Sequence, residues 1–145
     1  MKAYDALRNR PFARCDITLR TKTQVYETTI LTVLLYAMEC VTLYSRHIKA
    51  LTRVQLRDLR QLQRIGSQDR VLDLEVLKRE RTNSVEAIIT HAQLPWAGHV
   101  RRMDDNRLPK VVIYGELRIG KRKQGGQKLR YKDVISGHLK RTQII

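Results

Sequence analysis

The stretch Tyr44 to Gly66, YSRHIKALTRVQLRDLRQLQRIG, constrains this chain more than any other. At 100° per residue, Ile48, Leu51, Val54, Leu56, Leu59, Leu62 and Ile65 share one broad arc. Lys49, Arg53, Arg57, Arg60 and Arg64 recur at steps of 4, 4, 3 and 4 on the other side. The spacing predicts a helix with one apolar face and a ridge of five cations, ending near Gly66 as helices commonly do at glycine. Like charges on successive turns destabilise an isolated helix by a few tenths of a kcal/mol per pair, so an external anion is expected to neutralise them. Only Asp58, on the apolar side, brings negative charge into the stretch.

The run Thr21 to Tyr44 has no Gly or Pro and is apolar almost throughout after Ile30. Its Val, Ile and Thr content suits a strand, but its length decides for a helix buried on more than one side. Asp16 is a start signal for a short helix in the mixed N-terminal stretch. Val71 to Glu80 predicts a short helix with Leu74 and Leu77 inward. Asn83 and Glu86 then have the spacing of a capping box. Val85, Ile88, Ile89, Ala92, Trp96, Val100 and Met103 make one helical stripe, with a kink or break expected at Pro95. Lys110 to Leu117 fits either a helix or a strand. Tyr131 to Lys140 allows a final helix, weakened by Gly137.

These readings give an all-α chain: a small helical bundle with a basic, partly disordered C-terminal segment. Residues 1–20 are expected to form a connector, 21–117 a helical domain and 118–145 the basic segment. Arg118 to Lys132 holds seven Lys/Arg, three glycines and no acid, too polar to bury a core of its own. The whole chain has 145 residues and a formal net charge of +15, which points to a polyanionic partner. Phosphate tracking needs such cations, so the candidate nucleic-acid contacts are the five helix cations together with Lys121, Arg122, Lys123, Lys128, Arg130 and Lys132. Trp96 and Tyr131 are available for stacking on bases, and core packing is the competing role of Trp96.

Chemistry is poorly served. Met103-Asp104-Asp105 looks like the paired aspartates of a polymerase palm, but it follows a helical stripe, and no upstream strand offers a third carboxylate. Cys40 has no evident basic partner, Ser136-Gly137-His138 lacks a third group, and Gly125-Gly126 is not followed by the Lys-Ser/Thr of a phosphate loop. Cys15 and Cys40 fit no zinc pattern, and His47, His91, His99 and His138 have no tight ligand spacing, so neither metal nor cofactor is expected. The longest apolar run, Ile30 to Leu43, is too short to span a bilayer, and no secretory signal follows the Met-Lys start. An intracellular, nuclear or cytoplasmic chain that is neither secreted nor a membrane partner is expected.

Ordered motifs along the chain resemble the C-terminal region of the reverse transcriptase polyprotein of non-LTR (LINE-type) retrotransposons, from the polymerase thumb onward. They are Thr21-Lys22 with Val25-Tyr26, Leu34-Leu35-Tyr36 with Glu39 and Thr42-Leu43-Tyr44, and Gln68-Asp69-Arg70-Val71 with Glu75-Val76-Leu77. Trp96-Ala97-Gly98-His99-Val100, Arg102-Met103-Asp104-Asp105, Arg107-Leu108-Pro109, Tyr114-Gly115-Glu116-Leu117, Gly120-Lys121-Arg122 and Arg130-Tyr131-Lys132-Asp133 follow in the same order. The chain departs from that family at Ala37, where glycine is usual, at Val41 and Ser67, where tryptophan is usual, at Pro95, where arginine is usual, and at Gly126-Gln127, where Arg-Pro is usual. The resemblance implies a thumb that grips RNA, DNA or their hybrid without reading sequence. It also implies that the chain has no polymerase activity on its own, because the palm and endonuclease motifs belong elsewhere in the parent RNA-directed DNA polymerase. The remaining polymerase domains, or a second copy, are the expected protein partners. Two alternatives stay open: a helical interaction module whose basic face only confers solubility, and a relic of the element without selected function.

Overall fold

The computed structural model of the protein describes residues 12–115 and 129–142. Among these residues every regular element is helical, as the periodicities require. Two units interleave along the sequence: the described residues of Met1–Tyr36 with Arg46–Ala87, and those of Ala37–Ser45 with Ile88–Ile145.

The first unit opens with α1 (Leu19–Val25). Its start is Thr18, whose Oγ1 accepts the Thr21 N–H at 3.3 Å, whereas Asp16 pairs with Arg14 at 2.7 Å. The expected cap at Asp16 is therefore two residues early. Lys22 is buried, with its ammonium donating to the carbonyls of Phe12 (2.9 Å) and Arg14 (2.5 Å).

The single long helix expected to Tyr44 does not form. A π-helical stretch, Tyr26–Leu31, follows α1, and α2 (Thr32–Leu34) is its last helical turn. Thr28, Thr29 and Thr32 explain the change, because their hydroxyls bond back to the carbonyls of Gln24 (2.9 Å), Val25 (2.5 Å) and Glu27 (3.2 Å). Such bonds compete with the regular ladder and favour the wider turn. Nor is the run buried all round: Tyr26, Ile30 and Leu31 are inside, but Val33 is 71% exposed and Tyr36 81%.

Helix α3 (Ser45–Leu62) buries Leu56, Leu59 and Leu62, while Ile48, Leu51 and Val54 are half-buried. It does not stop at Gly66. Arg64 adopts the left-handed conformation (φ 55°), the Ile65 N–H bonds the Arg60 carbonyl at 2.9 Å, and the Arg64 N–H bonds the Gln61 carbonyl at 3.2 Å. This is a Schellman stop with arginine where glycine is usual. Gly66 is extended (φ −79°) and opens a 3-10 turn, Ser67–Asp69, in which its N–H donates to Asp69 Oδ2 at 2.7 Å.

Helix α4 (Asp73–Glu80) buries Val76 and half-buries Leu77 but leaves Leu74 62% exposed, so of the two leucines expected inward Leu74 faces out. It ends as α3 does, with Arg81 left-handed (φ 53°) and the Thr82 N–H on the Leu77 carbonyl at 3.2 Å. Helix α5 (Val85–Arg102) is capped one residue later than expected: Ser84 Oγ, not Asn83, accepts from the Ala87 N–H at 3.3 Å. Inside the first unit, Thr23 donates to Glu80 at 2.9 Å and Thr82 donates to Glu27, tying residues more than 50 positions apart.

In the second unit the turn at Ala37 (φ 59°) leads into a 3-10 segment, Met38–Cys40. The body of α5 continues unbroken through Pro95, with the proline exposed, so the sequence stripe outweighs the missing N–H and no break occurs. Ile89, Gln93, Ala97 and Val100 point inward, with Gln93 taking the place expected for Ala92. Helix α6 (Leu108–Tyr114) resolves the open choice at Lys110, Pro109 sitting in its first turn where a missing N–H costs least. Helix α7 (Tyr131–Thr142) packs Tyr131 and Ile135 on Ala97, with Leu94, Trp96, Ile113 and Leu139 around them. Two polar anchors hold the 38–41 backbone. The buried Gln93 amide donates to the carbonyls of Met38 and Val41 at 3.2 Å each, and the Tyr131 hydroxyl donates to that of Glu39 at 2.6 Å. No described helix is long and apolar enough to cross a membrane.

Candidate nucleic-acid interface

Burial of Leu56, Leu59 and Leu62 fixes the rotation of α3, and that rotation decides which cations reach solvent. Lys49, Arg53 and Arg57 are exposed, one turn apart, in steps of about 6 Å along the axis. Arg57 donates through Nε and Nη2 to Oδ1 of Asp58, at 3.2 and 3.0 Å. Asp58 itself is fully buried, so it sits beneath the ridge as a counterion.

Arg60 and Arg64 leave the ridge. Arg60 is half-buried, and its Nη2 donates to the Val71 carbonyl at 2.7 Å and to Asp73 Oδ1 at 2.8 Å. Its step of three from Arg57 turns it toward the chain leading into α4. Arg64 lies beyond the helix, its left-handed backbone carrying the guanidinium to 3.6 Å from the Cys15 sulfur. Arg46 extends the ridge at the other end: it is exposed, three residues before Lys49, and thus in phase with Lys49, Arg53 and Arg57. The i, i+3 relation to Lys49 was the signal for it in the sequence.

Of the C-terminal candidates, Arg130 is held by Asp133, Nε to Oδ2 at 3.1 Å, and Lys132 is half-buried on α7. Lys121, Arg122, Lys123 and Lys128 lie outside the described residues. Tyr131, a candidate for base stacking, is 7% exposed in the core, and burial raises its hydroxyl pKa far above the usual value. Trp96 packs against that same core and lies 5.8 Å from the His99 ring, so core packing is its observed role.

The aspartate pair lies on the turn after α5. Asp105 pairs with Lys110 at 2.7 Å, a contact that holds its carboxyl below the usual range, and Asp104 is exposed. Among the described residues no three His, Cys, Asp or Glu side chains gather into a group able to hold a metal ion. Cys15 and Cys40 are free, exposed thiols.

The arrangement presents three exposed cations, Lys49, Arg53 and Arg57, on one face of a helix whose other face is buried. No family model, curated protein or solved structure matches the chain.

Proposed function

We propose that this chain binds the phosphate backbone of RNA, DNA or their hybrid without reading sequence, as the thumb region of a LINE-type reverse transcriptase would. The observation that carries the reading is the exposed row Lys49, Arg53, Arg57 on a helix whose opposite face is buried. The net charge of +15 and the ordered motifs of that family support it. On this reading the chain acts in the nucleus or cytoplasm, beside the remaining polymerase domains or a second copy, and does not polymerise by itself.

If Arg46, Lys49, Arg53 and Arg57 each neutralise one phosphate, log affinity for duplex falls with log salt at a slope of about −3 to −4, and more steeply if the C-terminal basic residues join. Fluorescence anisotropy with a labelled duplex across a salt series measures that slope. A flat response, or unchanged binding by the double variant Arg53→Glu, Arg57→Glu, overturns the proposal.

A second reading, a helical interaction module, is favoured by Leu72 and Leu74, which are 73% and 62% exposed. Under it the double variant keeps its self-association or partner binding, and the wild-type chain does not respond to nucleic acid.

A further inference from the structure

The second unit contains a groove that the ridge on α3 does not explain. Its volume is 490 Å³, and it is lined by α5, α6 and α7. Ile113, Ile135 and Leu139 give it an apolar floor, with Tyr114 and Tyr131 beside them. Every charged residue that lines it is a cation: Arg101, Lys110 and Lys132.

The groups in this groove differ in what they have left to offer. Lys110 is engaged, donating to the Met103 carbonyl at 2.6 Å and pairing with Asp105. Tyr131 is buried, its hydroxyl on the Glu39 carbonyl. Arg101, in contrast, is exposed and has no side-chain partner among the described residues. Tyr114 is 40% exposed, and its ring contacts no other aromatic ring among them. Apolar side chains, a partly exposed aromatic ring and an exposed, unpaired guanidinium lining one groove form the combination that takes a flat apolar group attached to an anion.

We propose that this groove holds one unstacked base of a single-stranded RNA or DNA, the base lying on Tyr114 and the floor and its phosphate meeting Arg101. The assignment rests on the nucleic-acid reading above and adds to it a preference for unpaired strand, because a duplex keeps its bases stacked inside and cannot present one to a concave site. Base stacking on an aromatic side chain is sequence-tolerant, so the groove adds affinity without specificity. The ridge and the groove are then two sites with different substrates, duplex backbone and single strand.

The test uses the full chain and fluorescence anisotropy with three labelled probes: a single-stranded oligothymidine, an abasic strand of the same charge, and a duplex. Tyr114→Ala should weaken the single strand by about fivefold to a hundredfold, the range of one lost stack. It should leave duplex affinity within about twofold, and wild type should bind the abasic strand no better than the variant does. Circular dichroism and a thermal melt check that Tyr114→Ala stays folded. If it does not, Arg101→Glu, at an exposed position, is read in its place and should weaken the single strand at least fivefold. Equal binding of intact and abasic strands by wild type overturns the groove, as does single-strand affinity that neither variant changes. An acidic amphipathic peptide that binds through Tyr114, with no single strand bound, overturns it too. Duplex binding with any of these results removes the groove alone. Failure to bind every probe removes the nucleic-acid reading with it.

Discussion

The side chain of Gln55, fully buried on α3, accepts the N–H of Val85 at 3.0 Å and donates to the carbonyl of Asn83 at 2.8 Å. One amide thus satisfies a first-turn N–H of α5, which no helical partner can reach, and fixes the loop that precedes it. Gln55→Leu keeps the volume but strands both backbone groups. At about 1–3 kcal/mol for the buried Val85 N–H, and about 1 kcal/mol at most for the part-buried bond to Asn83, whose carbonyl water can reach, the variant should lose about 1–4 kcal/mol. Urea unfolding should show a lower midpoint with an unchanged slope. Gln55→Glu should also be destabilising, because a carboxylate would face the Asn83 carbonyl as acceptor to acceptor.

That bond also marks the limit of what could be read in the sequence. The helices α3 and α5 were legible because their apolar residues repeat with the helical period. Gln55 and Gln93 face inward at full burial, yet hydrophobic periodicity assigns polar residues to the surface. What holds them inside is backbone 28 or more residues away, invisible to any local pattern. The π-helical stretch had a local cause, the threonine hydroxyls at 28, 29 and 32, but its effect is a change of ladder and not of face. The candidate interface divides in the same way. Lys49, Arg53 and Arg57 followed from spacing alone, whereas Arg60 was withdrawn by the Val71 carbonyl and Arg64 by the position of the helix end.

Ala37 stands at φ 59°, where a Cβ costs about 1–2 kcal/mol relative to glycine. Glycine gives back about 0.5–1 kcal/mol through its freer unfolded chain, so Ala37→Gly should stabilise by up to about 1.5 kcal/mol. A rise of a few degrees in the thermal midpoint is the expected result, and a fall would show that the left-handed backbone is unstrained. Arg64→Gly relieves the same geometry at the end of α3 but removes a cation suited to the helix terminus, worth about 0.3–1 kcal/mol, so its gain should be smaller. Under the proposed function, Arg64→Gly should leave duplex affinity within about twofold of wild type because Arg64 lies off the ridge, whereas Arg53→Gln should reduce it.

Tyr131 gives the second unit a pH dependence. Burial disfavours the phenolate, with Cys40, Tyr114 and Glu39 nearby adding to the effect, so the folded pKa lies above the unfolded value of about 10. A group shifted in this direction contributes stability that is fully present below pH 10 and is lost as pH rises beyond it. Stability measured by urea titration should therefore fall more steeply above pH 10 in wild type than in Tyr131→Phe. At neutral pH the phenylalanine variant loses only the bond to the Glu39 carbonyl, about 0.5–1.5 kcal/mol. Parallel curves for the two proteins above pH 10 would remove Tyr131 as the titrating group.

Pro95 sits inside α5, exposed, with helix on both sides. It cannot donate to the carbonyl of His91, and its ring crowds that carbonyl, a combination that costs about 3 kcal/mol in a regular helix interior. The unbroken course of α5 shows that packing of Ile89, Gln93, Ala97 and Val100 carries the helix past the defect. Pro95→Ala restores the donor, keeps the inward face and should stabilise by about 1–3 kcal/mol. The urea midpoint should rise, and hydrogen exchange should slow at residues 95 to 99, where the repaired turn protects its neighbours. An unchanged midpoint would mean that the backbone around Pro95 has relaxed enough to absorb the ring, so that the helix gains nothing from its removal.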